Sequence, residues 1–101
     1  METVLRAIAD PRRREIMRLV RYEERAAGAI AAHFDVSRPA ISQHLAILRE
    51  AGLVTERREG NRRLYRARPE ALTDVRAYIE EFWTDHLARL KTAAEQEGKA
   101  R

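Results

Sequence analysis

The sequence predicts a mainly α-helical domain with one β-hairpin, in the element order ααααββα. In most of the chain, apolar residues recur every three or four positions, which is the period of an amphipathic helix. From Leu53 to Ala67 the pattern changes to two short β-prone runs around Gly60-Asn61, which is typical of a hairpin. After Pro69 the helical period returns and continues to about Glu97. These observations favour four short helices, a hairpin and a long terminal helix.

Three helices are predicted in the first part of the chain. The first has a short apolar stripe between Val4 and Ala9, and it ends at Asp10-Pro11 because proline is accepted in the first turn of the helix that follows. That second helix runs from Pro11 to about Tyr22, and a third, rich in alanine, covers Ala26 to Phe34. Its small side chains would let it pack closely across the next helix.

The most informative stretch is residues 34–53, where a turn, a capped helix and a glycine exit follow one another. The Ser37 hydroxyl can accept a hydrogen bond from a free amide of the first turn, and Pro39 is tolerated there because its missing N–H would have no partner. The face of this helix that is expected to be buried consists of Ile41, Leu45 and Leu48. Together with the alanine-rich helix before it, this segment predicts a helix-turn-helix.

The other faces of this helix carry short polar side chains. Gln and Arg can form paired hydrogen bonds with base edges in a major groove, and Ser can donate or accept one. These chemistries predict a recognition helix, with candidate DNA contacts at Ser37, Arg38, Pro39, Ser42, Gln43 and His44. For His44, a surface position without a role is an equal alternative.

Arginines surround the turn of the predicted hairpin. Such a cluster is the electrostatic pattern of a wing that lies along a phosphate backbone or probes a minor groove. The candidate contacts are Arg57, Arg58, Arg62 and Arg63. The alternative is a solvated hairpin whose charges discourage edge pairing, but the position of Arg62 and Arg63 beside the turn favours phosphate contact.

The charge is distributed unevenly along the chain. Residues 1–69 contain 15 basic and 9 acidic side chains, a net charge of +6, whereas residues 70–101 contain 5 and 7, a net charge of −2. A basic body favours nucleic acid as its partner, and a slightly acidic end favours protein. All basic residues of the body are arginine, which suits paired phosphate and guanine contacts, although genomic base composition explains the same bias equally well.

The terminal helix carries a broad apolar and aromatic stripe, larger than a small domain needs for its own core. We therefore expect it to pair with a second copy of the chain, with help from the first helix. The expected dimer contacts are Val4, Leu5, Ile8, Ile79, Phe82, Trp83, His86, Leu87 and Leu90. We expect His86 to pack there rather than to act as a ligand or pH switch, and the aromatic residues to form interface core rather than a small-molecule pocket.

The composition limits the classes of protein that fit. A chain of 101 residues with 45% hydrophobic content supports one small domain, residues 1–97 with dimerisation helices at both ends, and residues 98–101 are expected to fray. Without cysteine there is no disulfide and no thiolate metal site. No early apolar run or membrane-length segment is present, so we expect a cytoplasmic protein without a membrane partner.

The sequence also argues against an enzyme. Ser42 and His44 are two residues apart on a helix, so their side chains point in nearly opposite directions and cannot form a nucleophile and base pair. No glycine-rich loop that could hold a phosphate is present in the sequence.

The element order and three sequence blocks resemble the ArsR/SmtB family of winged helix-turn-helix transcriptional repressors. The blocks are LRAIADPRRREIMRLV, SRPAISQHLAILREAGLV and GNRRLYRA, and the similarity covers nearly the whole chain. The resemblance implies a homodimer whose interface is formed by helices at both ends of the chain. It also implies that operator DNA is faced by Ser37, Arg38, Ser42, Gln43 and His44.

The chain departs from the metal-sensing members of that family. Those members use cysteines, or Asp and His ligands paired across the terminal helices of a dimer. This chain has no cysteine, and Asp85 and His86 of its terminal helix are adjacent rather than spaced to converge on one ion. It therefore resembles the non-metal-sensing type, and we expect neither a metal nor a cofactor.

Together these inferences predict a sequence-specific repressor that binds an inverted-repeat operator as a homodimer and acts on its own upstream DNA. Its two recognition helices would lie in successive major grooves about 34 Å apart. A signal molecule or protein that the sequence does not identify would regulate it. The alternative is a protein-interaction module that uses the winged fold and the aromatic terminal helix and binds DNA weakly.

Overall fold

The computed structural model describes residues 1–99 and contains five α-helices and a small antiparallel sheet. The helices are α1 (Glu2–Ala9), α2 (Pro11–Leu19), α3 (Ala27–Ala31), α4 (Arg38–Glu50) and α5 (Thr73–Lys99). The strands are β1 (Arg25–Ala26), β2 (Val54–Glu59) and β3 (Arg62–Ala67), and a 3-10 turn covers Pro69–Leu72 before α5. The mainly helical fold with a wing is therefore confirmed. We expected residues 98–101 to fray. Helix α5 continues to Lys99, and residues 100 and 101 lie outside the described part.

The element order needs one correction, because the wing is a three-stranded sheet in the order β1-β3-β2. Strand β1 pairs with β3 through Arg25 opposite Tyr65 and Ala26 opposite Leu64. Two residues are too few to show a strand periodicity, so β1 is defined only by its partner. This strand connects the hairpin to the segment between α2 and α3.

Two of the predicted helices extend further than the helices of the structure. Helix α2 ends at Leu19 rather than Tyr22, since the Val20 carbonyl accepts a hydrogen bond from the Ala67 amide of β3 at 2.9 Å. Helix α3 covers Ala27–Ala31 rather than Ala26 to Phe34. The residues after α3 continue in turns that carry the chain toward α4.

The recognition segment folds as expected from its capping residues. The Ser37 hydroxyl accepts a hydrogen bond from the Ala40 amide at 3.3 Å, and α4 begins at the next residue. At the other end Gly52 has a φ of 76°, and the Leu53 amide donates back to the Leu48 carbonyl at 2.9 Å. A left-handed glycine with this hydrogen bond is a Schellman motif, which ends the helix and turns the chain into β2.

The core lies between the first four helices and the base of the wing. Its fully buried side chains are Val20, Ile16, Ile30, Ile41, Leu45, Leu48 and Leu53. The predicted apolar face of α4 is therefore buried, and its opposite face remains in solvent. From α5, Val75 joins this core, while the rest of that long helix extends outward and gives the chain dimensions of 70 × 24 × 23 Å.

Two arginines of α2 fix the angle between α1 and α2. The last carbonyls of a helix have no partner within it and need donors from elsewhere. Arg13 donates to the carbonyls of Arg6 and Ala7, and Arg14 donates to those of Ile8 and Ala9. The Asp10 carboxylate caps α2 by accepting from the amides of its first turn.

We expect Leu48→Ala to lower the free energy of unfolding by about 2 to 5 kcal/mol, because it removes a fully buried side chain and leaves a cavity. The matched control is Ile47→Ala on the same helix, where the side chain is 39% exposed and the expected change is within about 0.5 kcal/mol. Urea denaturation at a fixed protein concentration measures both variants. Equal losses in the two variants would contradict the placement of the α4 faces.

Candidate nucleic-acid interface

A groove of about 480 Å³ opens between α4, the start of α3 and the wing. Four arginine side chains line it together with a serine and an asparagine that can donate or accept hydrogen bonds. These polar residues are Arg38, Ser42, Arg49, Asn61, Arg62 and Arg63. The groove is therefore cationic and lies between the two elements that the sequence predicts to contact DNA.

The helix period sorts the α4 candidates into two exposed faces. Arg38 and Ser42 are one turn apart and line the groove, whereas Pro39 and Gln43 are one turn apart on the face away from the core. All four are exposed, as is the capping residue Ser37. The guanidinium of Arg38 lies against the start of α3, because a Cβ built on Gly28 would be 3.4 Å from its Nη2.

His44 lies on the other flank of α4, away from the groove. Its ring is half-buried, and Nδ1 is 3.2 Å from Nη1 of Arg13 on α2. The structure therefore separates His44 from the other α4 candidates and places it between the recognition helix and the α1–α2 corner.

The four wing arginines differ in their ion pairs. Arg57 donates to both carboxylate oxygens of Glu24, at 2.8 and 3.0 Å, and to Glu59 at 3.1 Å. Arg63 lies 3.5 Å from Glu56, which also binds Arg49. Within residues 1–99, Arg58 and Arg62 have no acidic group at ion-pair distance. Of these four candidate arginines, two are therefore uncompensated cations and two are held by carboxylates.

The pair between Glu24 and Arg57 connects the wing to the loop before β1. The side-chain hydrogen bond from Arg57 lowers the pKa of Glu24, and its positive charge acts in the same direction. The same hydrogen bond raises the pKa of Arg57. The pair is therefore fully charged at neutral pH, and it fixes β2 to a segment 33 residues earlier in the chain.

The sequence interpretation missed two of these residues. Arg49 follows Ser42 by two helical turns and therefore lies on the same face of α4 as Arg38 and Ser42. The helical period of the sequence could have identified it. Glu24 could not be found in this way, because its role depends on a tertiary contact with a strand that is distant in sequence.

The expected dimer contacts fall into a buried group and an exposed group. Val4 is only 9% exposed and belongs to the core of the protomer, and Ile8 is half-buried against it, whereas Leu5 is 36% exposed. The α5 residues form an uninterrupted exposed stripe, with half or more of each side chain accessible at Tyr78, Ile79, Phe82, Trp83, Leu87 and Leu90.

Aromatic contacts organise this stripe within the single chain. Tyr78 and Phe82 meet edge to face with ring centroids 5.1 Å apart, and the His86 ring lies 5.7 Å from that of Trp83. His86 is exposed in the protomer, so its expected packing requires another surface to cover it.

The described part of the chain lacks two other kinds of feature. In the described part of the chain, no group of three or more His, Asp or Glu side chains is placed to hold a metal ion. None of the described helices combines the length and the apolar character that a membrane crossing requires.

Known proteins resemble this chain in sequence and fold. The sequence model described as "Bacterial regulatory protein, arsR family" matches residues 10–56. The HTH-type transcriptional regulator Rv2034 of Mycobacterium tuberculosis is 39% identical over 92 residues, which cover 91% of this chain and 86% of that protein. The transcriptional repressor SdpR of Bacillus subtilis is 40% identical over 74 residues, which cover 73% and 82%.

The solved structure of an ArsR-like transcriptional regulator from Rhodococcus sp. RHA1 superposes with a TM-score of 0.76 at 32% identity, and the match covers 94% of this chain and 90% of that one. The similarity thus includes the helices at both ends as well as the helix-turn-helix and the wing. The chain belongs to the ArsR family of DNA-binding transcriptional regulators, whose members are not enzymes.

Proposed function

We propose that this protein is a homodimeric repressor that binds an inverted-repeat operator, including one in its own upstream DNA. The observation that supports this most strongly is the cationic groove between α4 and the wing, which lies beside the exposed Gln43 face. Arginines in the groove suit the phosphate backbone, and Gln43 and Ser42 have the chemistry to read base edges. Repression is favoured by the similarity to SdpR, which is a transcriptional repressor. The protein would act in the cytoplasm, where bacterial DNA is located.

In this proposal the contacts have different roles. Arg58 and Arg62 carry uncompensated charge and contact phosphates, whereas Arg57 is occupied by Glu24 and mainly holds the wing in place. Arg38 and Ser42 approach the backbone or base edges from the groove side of α4. Ser37 and Pro39, in the first turn, approach the same groove of the DNA from the helix N-terminus.

The dimer is supported by the α5 stripe. Six large apolar or aromatic side chains exposed by half or more form a patch that a monomer in water would leave uncovered at high cost. A second copy presents the same stripe, so a twofold arrangement covers both with one self-complementary interface. Leu5 of α1 and His86 of α5 would join that interface, while Val4 and Ile8 would support it from inside the protomer.

The same stripe favours the second candidate, a protein-interaction module that binds DNA weakly. In that case α5 binds a different protein and the groove arginines are only solvated. The two candidates differ in salt dependence, because DNA contacts release counterions whereas an apolar protein interface responds little to ionic strength.

Two variants test whether Gln43 reads a base and Arg62 contacts phosphate. Gln43→Ala should weaken binding to the protein's own upstream DNA by about 1 to 3 kcal/mol and leave binding to a random duplex of equal length unchanged. Arg62→Ala should weaken both duplexes similarly and reduce the slope of log affinity against log salt by about 1. Fluorescence anisotropy over a salt series measures both quantities, and Thr84→Ser on the polar side of α5 serves as the control. A loss for Gln43→Ala that is the same on both duplexes would contradict base reading.

The second prediction concerns the wing and pH. Because the folded-state pKa of Glu24 is lowered, its contribution to stability is present above its unfolded pKa and is lost as the pH falls through the folded value. The melting temperature of the wild type should therefore exceed that of Glu24→Gln near about pH 7, and this difference should shrink toward about pH 3.5. The control is Glu81→Gln on exposed α5. A difference that stays constant over this range would remove the role assigned to the carboxylate.

The third prediction concerns assembly. Trp83→Glu should convert the dimer to a monomer, because it places a charge in the centre of the apolar stripe. Thr84→Glu, the next residue on a different face of α5, should leave the mass unchanged. Sedimentation velocity distinguishes the two states. If both variants keep the mass of the wild type, α5 is not the dimer interface.

A further inference from the structure

We propose that Arg13 is a positioning residue for DNA recognition, which holds α4 through Nδ1 of His44 in a contact that protonation of the histidine breaks. This inference rests on the proposed function, because it concerns how accurately α4 is presented to an operator. Nothing in the sequence interpretation assigned a role to Arg13.

The guanidinium of Arg13 is fixed by partners on three sides. Its Nε donates to the Ala7 carbonyl at 2.6 Å, Nη2 donates to the Arg6 carbonyl at 3.1 Å, and Nη1 lies 3.2 Å from His44 Nδ1. Its side chain is only 14% exposed. A half-buried arginine that is held by two carbonyls of α1 has little freedom to follow a movement of the histidine ring.

The chemistry of the contact requires a neutral histidine. Arginine has only donors, so Nδ1 of His44 must accept, and the ring must carry its proton on Nε2. Protonation of Nδ1 removes the acceptor and places two cations at 3.2 Å. Histidine is the side chain whose charge changes most readily between about pH 5 and pH 8.

One carboxylate shares this site. The Asp10 carboxylate at the N-cap of α2 lies 3.9 Å from Arg13 Nη1, and α1 presents the two carbonyls that Arg13 binds. Burial acts to raise the pKa of Asp10, but the amides of Arg12 and Arg13 and the positive charges of Arg13 and of a protonated His44 lower it overall. Asp10 therefore remains ionised at neutral pH, and its carboxylate attracts the guanidinium of Arg13.

The contact between Arg13 and His44 connects the recognition helix to α1. His44 follows Gln43, the outward-facing candidate for base reading, and Arg13 connects this part of α4 to the end of α1. Helix α1 also carries Leu5 on the surface that is proposed to meet the second copy. The link thus sets the orientation of the reading face relative to the dimer axis, and hence relative to the second recognition helix.

The expected pH effect differs from simple charge attraction in the quantity that it changes. A positive charge gained by any histidine favours binding to all DNA sequences, because DNA is an anion. Loss of the Arg13 contact instead lowers the preference for operator over random DNA. The informative quantity is therefore the ratio of the two affinities rather than either affinity alone.

The test compares wild type, His44→Asn, His44→Leu and the control His33→Asn, each with operator and random duplexes near about pH 8 and pH 5.5. Asparagine places a non-titrating acceptor near the position of Nδ1, whereas leucine has none. His33 is exposed at the end of α3 and provides the matched histidine change. Circular dichroism at both pH values confirms that each protein is folded.

We expect the operator preference of the wild type and of His33→Asn to fall about 3- to 10-fold on acidification, which corresponds to the loss of one hydrogen bond. His44→Asn should have an operator preference that does not change between the two pH values, and His44→Leu should have a lower preference that also does not change. A preference in His44→Asn that falls with pH as in the wild type would overturn the proposal. So would a preference in His44→Leu that equals that of the wild type near about pH 8.

A measurement without DNA keeps the proposal testable if a variant fails to fold. Nitrogen-15 NMR of the imidazole ring identifies which nitrogen of His44 carries the proton in the wild type. We expect the Nε2–H form near about pH 8, and the Nδ1–H form would overturn the proposal. Equal binding of operator and random DNA by the wild type at that pH would instead overturn the proposed function, and the positioning role of Arg13 with it.

Discussion

The burial of one face of α4 is the constraint on which the interface depends. Ile41, Leu45 and Leu48 are each at most 1% exposed, so the rotation of α4 about its own axis is fixed by the core. Since a helix that buries one face must present the opposite one, the same packing that stabilises the domain directs Gln43 outward and Ser42 toward the wing. In the proposed function, folding and base reading would therefore use the two sides of a single helix.

Burial holds the wing only at its base, through Val54 and Tyr65, because the rest of its strands is mostly exposed. The exposed part is held by β1 and a set of ion pairs: Glu24 holds Arg57, and Glu56 holds Arg49 together with Arg63. Isolated surface ion pairs contribute little to stability, but here they join elements that are distant in sequence and so limit where the hairpin can lie. Some arginines near the groove therefore fix the position of the wing, and in the proposed function others would contact phosphates.

The sequence was sufficient for features that depend on local chemistry. The Ser37 cap, the Gly52 exit and the apolar face of α4 follow from spacing and capping rules, and each is present in the fold. Features that depend on a distant partner were not accessible. Strand β1 exists only because β3 pairs with it, and the contact between His44 and Arg13 depends on the position of a second helix.

In the proposed dimer, the exposed surface of α5 would link assembly to recognition. A helix of 27 residues is about 40 Å long, and only its start is anchored in the core, by Val75. Helix α1 contributes Val4 and Ala7 to that core and leaves Leu5 at the surface, while its last carbonyls bind Arg13. A second copy that covered α5 and Leu5 would therefore act on the helix whose end is tied to α4. In the proposed dimer, the angle between the two recognition helices would then depend on residues outside the proposed DNA contacts.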